Sequence, residues 1–186
     1  MLAAFMVAAA VAAQDTPPVG DDCMIALAAI SQPTPRFEDY PVPAESVGKP
    51  APVDLSSSPV AREFRTQVRS DARAGPNFAG HFTIVGWGCG SACLQWGLVN
   101  ARTGKAYFEP KISVVSVDHV ADETGPAGGV NQEFYNLRFR LGSRLLIVMG
   151  APQEDETREG VGYYRWDGKT FGLIRFIPRK DACAAG

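Results

Sequence analysis

Along the second half of the chain, apolar and polar positions alternate with the short period of β-strands. From residue 78 onward, eight segments rich in β-branched and aromatic residues are separated by residues that favour turns: FAGHFTIVGWG, ACLQWGLVNA, KAYFEP, ISVVSVDHV, FYNLRFRLG, RLLIVMGAP, GVGYYRWDG and KTFGLIRFI. The links at 102–105, 141–144 and 167–168 are short enough for hairpins. Leu145–Met149 is apolar without alternation, which is typical of a strand covered on both faces. The pattern predicts an antiparallel β-meander of about seven or eight strands.

One amphipathic helix is predicted before the strands. Ser58 is a favourable N-cap, and Pro59 suits the first helical position. Gly75-Pro76 supplies a C-terminal stop, so the helix should end near Ala74. Apolar residues recur at every fourth position and form one stripe: Val60, Phe64, Val68 and Ala72. The predicted fold class is therefore α+β, with this helix packed on the antiparallel β-meander.

Three segments are expected along the chain. Residues 1–13 (MLAAFMVAAAVAA) are apolar and uncharged and precede a polar run, which is typical of a signal peptide cleaved between Ala13 and Gln14. The usual basic residues before the apolar run are missing, so either the true start lies upstream or the export signal is weak. A disordered alanine-rich terminus is the alternative to a signal peptide. Residues 14–58 hold most of the prolines and should form an extended arm. Residues 59–186 should form one β-rich globular domain.

Charge and hydropathy argue against nucleic-acid binding and against a membrane-spanning segment. The 18 basic residues are balanced by 20 acidic ones, and this net charge of -2 lacks the basic surplus of nucleic-acid-binding proteins. The apolar run at 1–13 is shorter than the roughly 20 residues that a bilayer requires, and no later segment is long and apolar enough. We therefore expect no nucleic-acid partner and no transmembrane segment in the mature chain. A periplasmic or secreted location, with an envelope or extracellular partner, is expected instead.

The four cysteines all lie in the mature chain: Cys23, Cys89, Cys93 and Cys183. An even number in an oxidising compartment favours two disulfide bonds, for which three pairings are possible. We favour Cys89 with Cys93, because the small residues between them allow a tight turn. The remaining bridge, Cys23 with Cys183, would then join the two ends of the mature chain. The alternatives are a redox-active disulfide, or a thiolate at Cys89 or Cys93 activated by His81.

Three segments resemble a group of known proteins. The chain contains FAGHF at 78–82, WGCGSAC at 87–93 and YYRWDG at 163–168. These resemble a family of small exported proteins of Proteobacteria that carries an FAGHF/Y segment, a WGCGxxC turn and a terminal YYRWDG hairpin. The resemblance covers roughly residues 60–178. It implies an exported β-rich domain and assigns no catalytic residue, since no activity is established for that family.

Candidate functional side chains are densest between residues 81 and 96. Trp87 and Trp96 have glycine neighbours, so their rings can either stack on a sugar or a partner side chain or pack in the core. The only histidines, His81 and His119, are too far apart in sequence to form a metal-binding motif. His81, Trp87 and Trp96 are therefore the binding candidates.

The chain lacks the common catalytic and cofactor signatures. It contains no G-x-S-x-G elbow, no phosphate-binding loop and no dinucleotide fingerprint. We therefore expect no cofactor, no metal and no catalytic residue. The expected function is that of an exported non-enzymatic binding module for an envelope protein or glycan. The alternative is a thiol-dependent enzyme, for thiol-disulfide exchange or hydrolysis, that uses Cys89 and Cys93 with His81.

Overall fold

The computed structural model describes residues 23–121 and 136–184. It confirms the predicted α+β class, because a mostly antiparallel sheet is combined with few helices. The segment 1–13, interpreted as a signal peptide, lies outside the described residues, as does the arm segment 14–22. Within the two described ranges, no helix has both the length and the hydropathy needed to cross a membrane.

Ten strands occur in the described residues. Eight of them correspond to the predicted segments: β2 Phe82–Gly90, β3 Cys93–Asn100, β4 Ala106–Tyr107, β5 Val114–Ser116, β6 Leu137–Phe139, β7 Leu145–Pro152, β8 Gly160–Trp166 and β9 Phe171–Pro178. The other two, β1 (Met24–Ile25) and β10 (Cys183–Ala184), form a separate two-stranded sheet. These two were not predicted, because a strand of two residues is too short to show a periodic pattern.

The large sheet departs from a simple meander at its short strands. Its order is β2-β3-β5-β7-β8-β9, with β4 also paired to β3 and β6 also paired to β7. β5 lies beside Cys93–Gln95 of β3, and β4 lies beside Leu98–Val99 of the same strand. In the same way, β7 pairs through residues 146–148 with β6 and through 151–152 with β5. Each long strand is shared in this way because a strand of two or three residues cannot cover a neighbour of eight.

The two halves of this sheet face each other across the main core. Phe82 of β2 meets Trp166 of β8 with ring centroids 5.4 Å apart, and Trp96 of β3 meets Phe171 of β9 at 5.6 Å. Leu145–Met149 is buried along its whole length, as its unbroken apolar run predicts. β7 is therefore a central strand of the large sheet, paired with β5, β6 and β8 and buried along its length.

A second, smaller core lies between the sheet and the helices. Successive residues of a strand point to opposite faces, so Ile84 joins the main core while Val85 turns towards the helices. Val85 packs there with Val68 and Ala72, which belong to the predicted apolar stripe. The helices thus form an outer layer on the β2-β3 half of the sheet.

The predicted single helix is interrupted and forms α1 (Pro59–Glu63) and α2 (Arg65–Ala72). The hydroxyl of Ser58 accepts a hydrogen bond from the backbone three residues later, as expected of an N-cap. Phe64, between the helices, has φ -97° and ψ 33° and its ring stacks on Trp87 with centroids 4.7 Å apart. The helix is therefore interrupted where Phe64 makes a tertiary aromatic contact. The helical pattern of the sequence gives no indication of this contact.

The described part of the proline-rich arm, residues 23–58, is docked on the domain. Four of its backbone N–H groups donate to carbonyls in three loops: Val42 to Gly142, Glu45 to Gly80, and Ala51 and Asp54 to Ala101 and Gly104 of the β3–β4 link. Apolar side chains at its start pack against the main core: Leu27, Ile30, Phe37 and Tyr40. The arm is therefore part of the folded unit.

The two ends of the described chain meet at the small β1-β10 sheet. Cys23 and Cys183 form a disulfide bond there, with their Cα atoms 5.3 Å apart. Cys89 and Cys93 form the second disulfide, with a Cα separation of 5.1 Å. The cysteines thus pair in the combination that the sequence favours.

Candidate functional site

The CGSAC segment forms the turn between β2 and β3. A bulge between Gly88 and Gly90 shifts the pairing register, and the disulfide between Cys89 and Cys93 closes the turn. Ala92 has a φ of 47°, a left-handed conformation that costs an alanine roughly 1 kcal/mol. All four cysteines lie in the described residues, and all are disulfide-bonded.

His81 lies immediately before β2, at the end of the strand opposite the CGSAC turn. Eight positions of extended chain separate it from Cys89. At about 3.3 Å per residue, this spacing corresponds to about 26 Å. The structure therefore does not bring His81 to the cysteines, and the pairing of thiolate and base considered from the sequence is not assembled.

The arm and the β3–β4 link hold His81 in an ion cluster instead. The Nδ1 atom of His81 lies 3.2 Å from Oε1 of Glu45, and the guanidinium of Arg102 contacts the other oxygen of that carboxylate. Burial lowers the pKa of His81, because its side chain is only 19% exposed. Arg102 offsets the negative charge of Glu45, so the carboxylate does little to retain a second proton on the imidazole. A neutral His81 can still donate its Nδ1 proton to Glu45.

His119 occupies a second cluster of the same composition. Its Nδ1 atom lies 2.8 Å from Oε1 of Glu159, whose other oxygen lies 3.2 Å from Arg179. The Nε group of Arg179 also donates to the carbonyl of Cys23, at 2.9 Å. This cluster ties the start of β8 to the joined chain ends. Sequence reasoning missed both clusters, because each histidine and its carboxylate are 36 or 40 residues apart.

The two tryptophan candidates have different environments. Trp96 is 1% exposed and packs in the main core, so its ring is not available to a ligand at the surface. Trp87 is partly exposed, stacks on Phe64 and donates from Nε1 to the side chain of Gln95 at 3.2 Å. Its ring lines a cavity of about 530 Å³ between α2 and β2. Of the two rings, only that of Trp87 remains a surface candidate.

A larger cavity lies at the end of the sandwich near α1, and we call it the end groove. Its volume is about 670 Å³. Its lining comes from three parts of the chain: Ser57–Pro59, Lys105–Glu109, and Trp166, Gly168, Lys169 and Phe171 of the β8–β9 hairpin. The hydroxyl of Thr170 donates to Oε2 of Glu109 at 2.6 Å and so ties the hairpin to the segment after β4.

The end groove was not predicted from the sequence. Its only local signal is that KAYFE and WDGKTF each place a lysine close to aromatic residues. The two segments are about 60 residues apart, and only the facing of the sheet halves brings them together. Comparison of the chain with protein-family models, curated proteins and solved structures gives no match.

Proposed function

We propose that this chain is an exported, non-enzymatic binding module that acts in the periplasm or outside the cell on a glycan or protein of the envelope. The apolar, uncharged segment 1–13 and the resemblance to exported proteins support export. The two disulfides support it as well, since such bonds persist in oxidising compartments.

The end groove is the observation that carries the binding function. It is a concave site, and its volume falls within the range of roughly 300–1,000 Å³ typical of small-molecule sites. Its walls are held in place by the core, by the docked arm and by the bond between Thr170 and Glu109. A preformed site loses little conformational freedom when a ligand binds, which favours affinity.

The states of the reactive side chains favour binding over catalysis. The four cysteines are in disulfides, and neither histidine is among the residues that line the end groove. In the end groove, the Ser57 hydroxyl donates to the carbonyl of Asp54 and accepts from the backbone of Ala106. This serine is therefore engaged in structural hydrogen bonds, and no base is bonded to its oxygen.

A thermal-shift panel tests the binding function. The mature protein is mixed with envelope glycans and peptides, and at least one of them should raise the unfolding temperature through preferential binding to the folded state. Lys169→Trp, which places a bulky ring at the rim of the end groove, should abolish the shift. The matched variant Lys180→Trp, at an exposed position outside the groove, should retain it.

Three outcomes of this panel would overturn the proposal. The first is that no compound shifts the unfolding temperature, and the second is that Lys169→Trp and Lys180→Trp behave alike. The third is that the stabilising compound is recovered chemically altered, because the protein would then be an enzyme. Mass spectrometry of the recovered compound distinguishes binding, which leaves its mass unchanged, from catalysis.

Export and the thiol alternative have their own test. Protein recovered from the periplasm of a Gram-negative host should begin at Gln14 or within a few positions of it. Without reductant, an alkylating reagent should label none of its cysteines. Uncleaved protein in the cytoplasm would contradict export, and a labelled Cys89 or Cys93 together with insulin reduction would favour the thiol-dependent enzyme.

A further inference from the structure

The floor of the end groove is aromatic. The ring of Trp166 contacts Tyr107 with centroids 5.4 Å apart and Phe171 with centroids 4.8 Å apart. Tyr107 and Phe171 are partly exposed, whereas Trp166 is 2% exposed. Two ring surfaces fixed by a buried third ring offer a rigid apolar platform, on which a flat ligand face can pack with little loss of side-chain entropy.

The residues that line the end groove include two lysines and one carboxylate. The carboxylates of Asp54 and Asp167, outside the lining, interact with Lys105 and Lys169, respectively. Lys105 and Lys169 are both exposed, and the Nζ atom of Lys105 lies 5.1 Å from the centroid of the Tyr107 ring. The one carboxylate in the lining, that of Glu109, accepts a hydrogen bond from the hydroxyl of Thr170. Two ammonium groups beside an aromatic floor favour a ligand that carries a negative charge.

We propose that the end groove binds a saccharide that carries a carboxylate. The apolar face of a pyranose ring would pack on Tyr107 and Phe171, and the carboxylate would lie between the ammonium groups of Lys105 and Lys169. Each lysine acts as a point charge whose ammonium group can donate to one oxygen of the carboxylate. This inference rests on the proposed binding function and names its ligand class.

Titration calorimetry with digalacturonic acid tests the inference on the mature protein. Binding with a Kd below about 1 mM is expected, together with a clear loss of affinity for the dimethyl ester of the same disaccharide. The ester keeps the ring faces and hydroxyl groups and removes only the charge. N-acetylmuramic acid, whose carboxylate lies on a lactyl group, is titrated in parallel, and binding of either acid supports the inference and identifies the type of acidic sugar.

Charge variants locate the site. Lys105→Gln and Lys169→Gln should each weaken binding of the acidic sugar by about fivefold or more, because each removes one charge-assisted contact. Lys180→Gln makes the same charge change outside the groove and should leave the affinity unchanged.

The inference is overturned if neither acid binds, if the ester binds as tightly as the acid, or if both lysine variants match Lys180→Gln. Such a failure is distinguishable from failure of the proposed function. When a neutral glycan or a peptide binds in the groove and is blocked by Lys169→Trp, the binding module stands and the acidic-sugar assignment falls. When no member of the panel binds, both fall.

Discussion

Gly104 occupies a position where any side chain would collide with the docked arm. Its φ is +76°, and a Cβ atom there would overlap the backbone carbonyl of Pro52. Its own carbonyl accepts a hydrogen bond from Asp54 at 2.8 Å. We expect Gly104→Ala to lower the free energy of unfolding by about 3 kcal/mol or more, since backbone strain and steric overlap add. Urea denaturation measures this loss.

Gly168 provides the matched control for this substitution. It also has a positive φ, of +105°, but a Cβ atom at this position would meet nothing within 4 Å. Gly168→Ala should therefore cost only about 1 kcal/mol, from the backbone conformation alone. Equal losses in the two variants would show that the contact with Pro52 does not constrain position 104.

Protonation of His81 should make the stability depend on pH. Burial lowers its pKa in the folded state below the value of about 6.5 that it has in the unfolded chain. Above that value both states are unprotonated, and the contribution of His81 to stability is fully present. As the pH falls through about 6.5 towards the folded-state pKa, the unfolded chain binds the proton first and this contribution is lost.

The pH dependence is measured as the change in unfolding free energy between about pH 7.5 and about pH 5. The change should be larger in the wild type than in His81→Gln, which keeps a hydrogen-bonding group and cannot titrate. With His119→Gln, the remaining imidazole signal in NMR spectra reports His81 directly, since the chain has two histidines. A midpoint above 6.5 would mean that Glu45 outweighs burial.

At the scale of elements, the two disulfides should differ in their effect on stability. The bridge between Cys23 and Cys183 closes a loop of 160 residues, whereas that between Cys89 and Cys93 spans 4. In the chain-entropy model these correspond to about 5 and about 2 kcal/mol. Replacing both members of a pair by serine leaves no free thiol, so denaturant unfolding of the two double variants compares the bridges directly. A greater loss from the short bridge would contradict this order.

The helical region shows which structural features a local sequence pattern can predict. Ser58, Pro59 and the apolar stripe place a helix correctly between residues 59 and 72. The same pattern cannot predict the break at Phe64, because the break accompanies stacking on Trp87, which is 23 positions away on a strand. An element's type therefore follows from its own residues, and its interruptions follow from its neighbours.

At the scale of the whole molecule, the docked arm should be necessary for folding. The comparison uses two variants that both lack the terminal disulfide: a chain that begins at Pro59 and carries Cys183→Ser, and the mature chain with Cys23→Ser and Cys183→Ser. The shorter chain loses the apolar contacts of the arm and its four backbone hydrogen bonds to three loops. It should unfold at a temperature lower by about 10 °C or more, or without a cooperative transition. Equal melting curves, recorded by circular dichroism, would show that the arm does not contribute to the stability of the domain.

The sequence by itself determined the features that depend on neighbouring residues. The eight long and short strands of the sheet, the N-cap at Ser58 and the central position of Leu145–Met149 all follow from alternation, capping and turn residues. The pairing of Cys89 with Cys93 follows from the small residues between them. Each of these signals lies within a window of about 15 residues, which is why a pattern can reveal it.

Only the tertiary structure decided how β4, β5 and β6 share their neighbours, where the arm docks, and which carboxylates hold the histidines. It also decided that Trp96 is buried while Tyr107 and Phe171 line the end groove. These features join residues that lie tens of positions apart. Which residues become partners depends on how the two halves of the sheet face each other. The alternation within a single strand indicates which side chains face the core, but not which side chains they contact there.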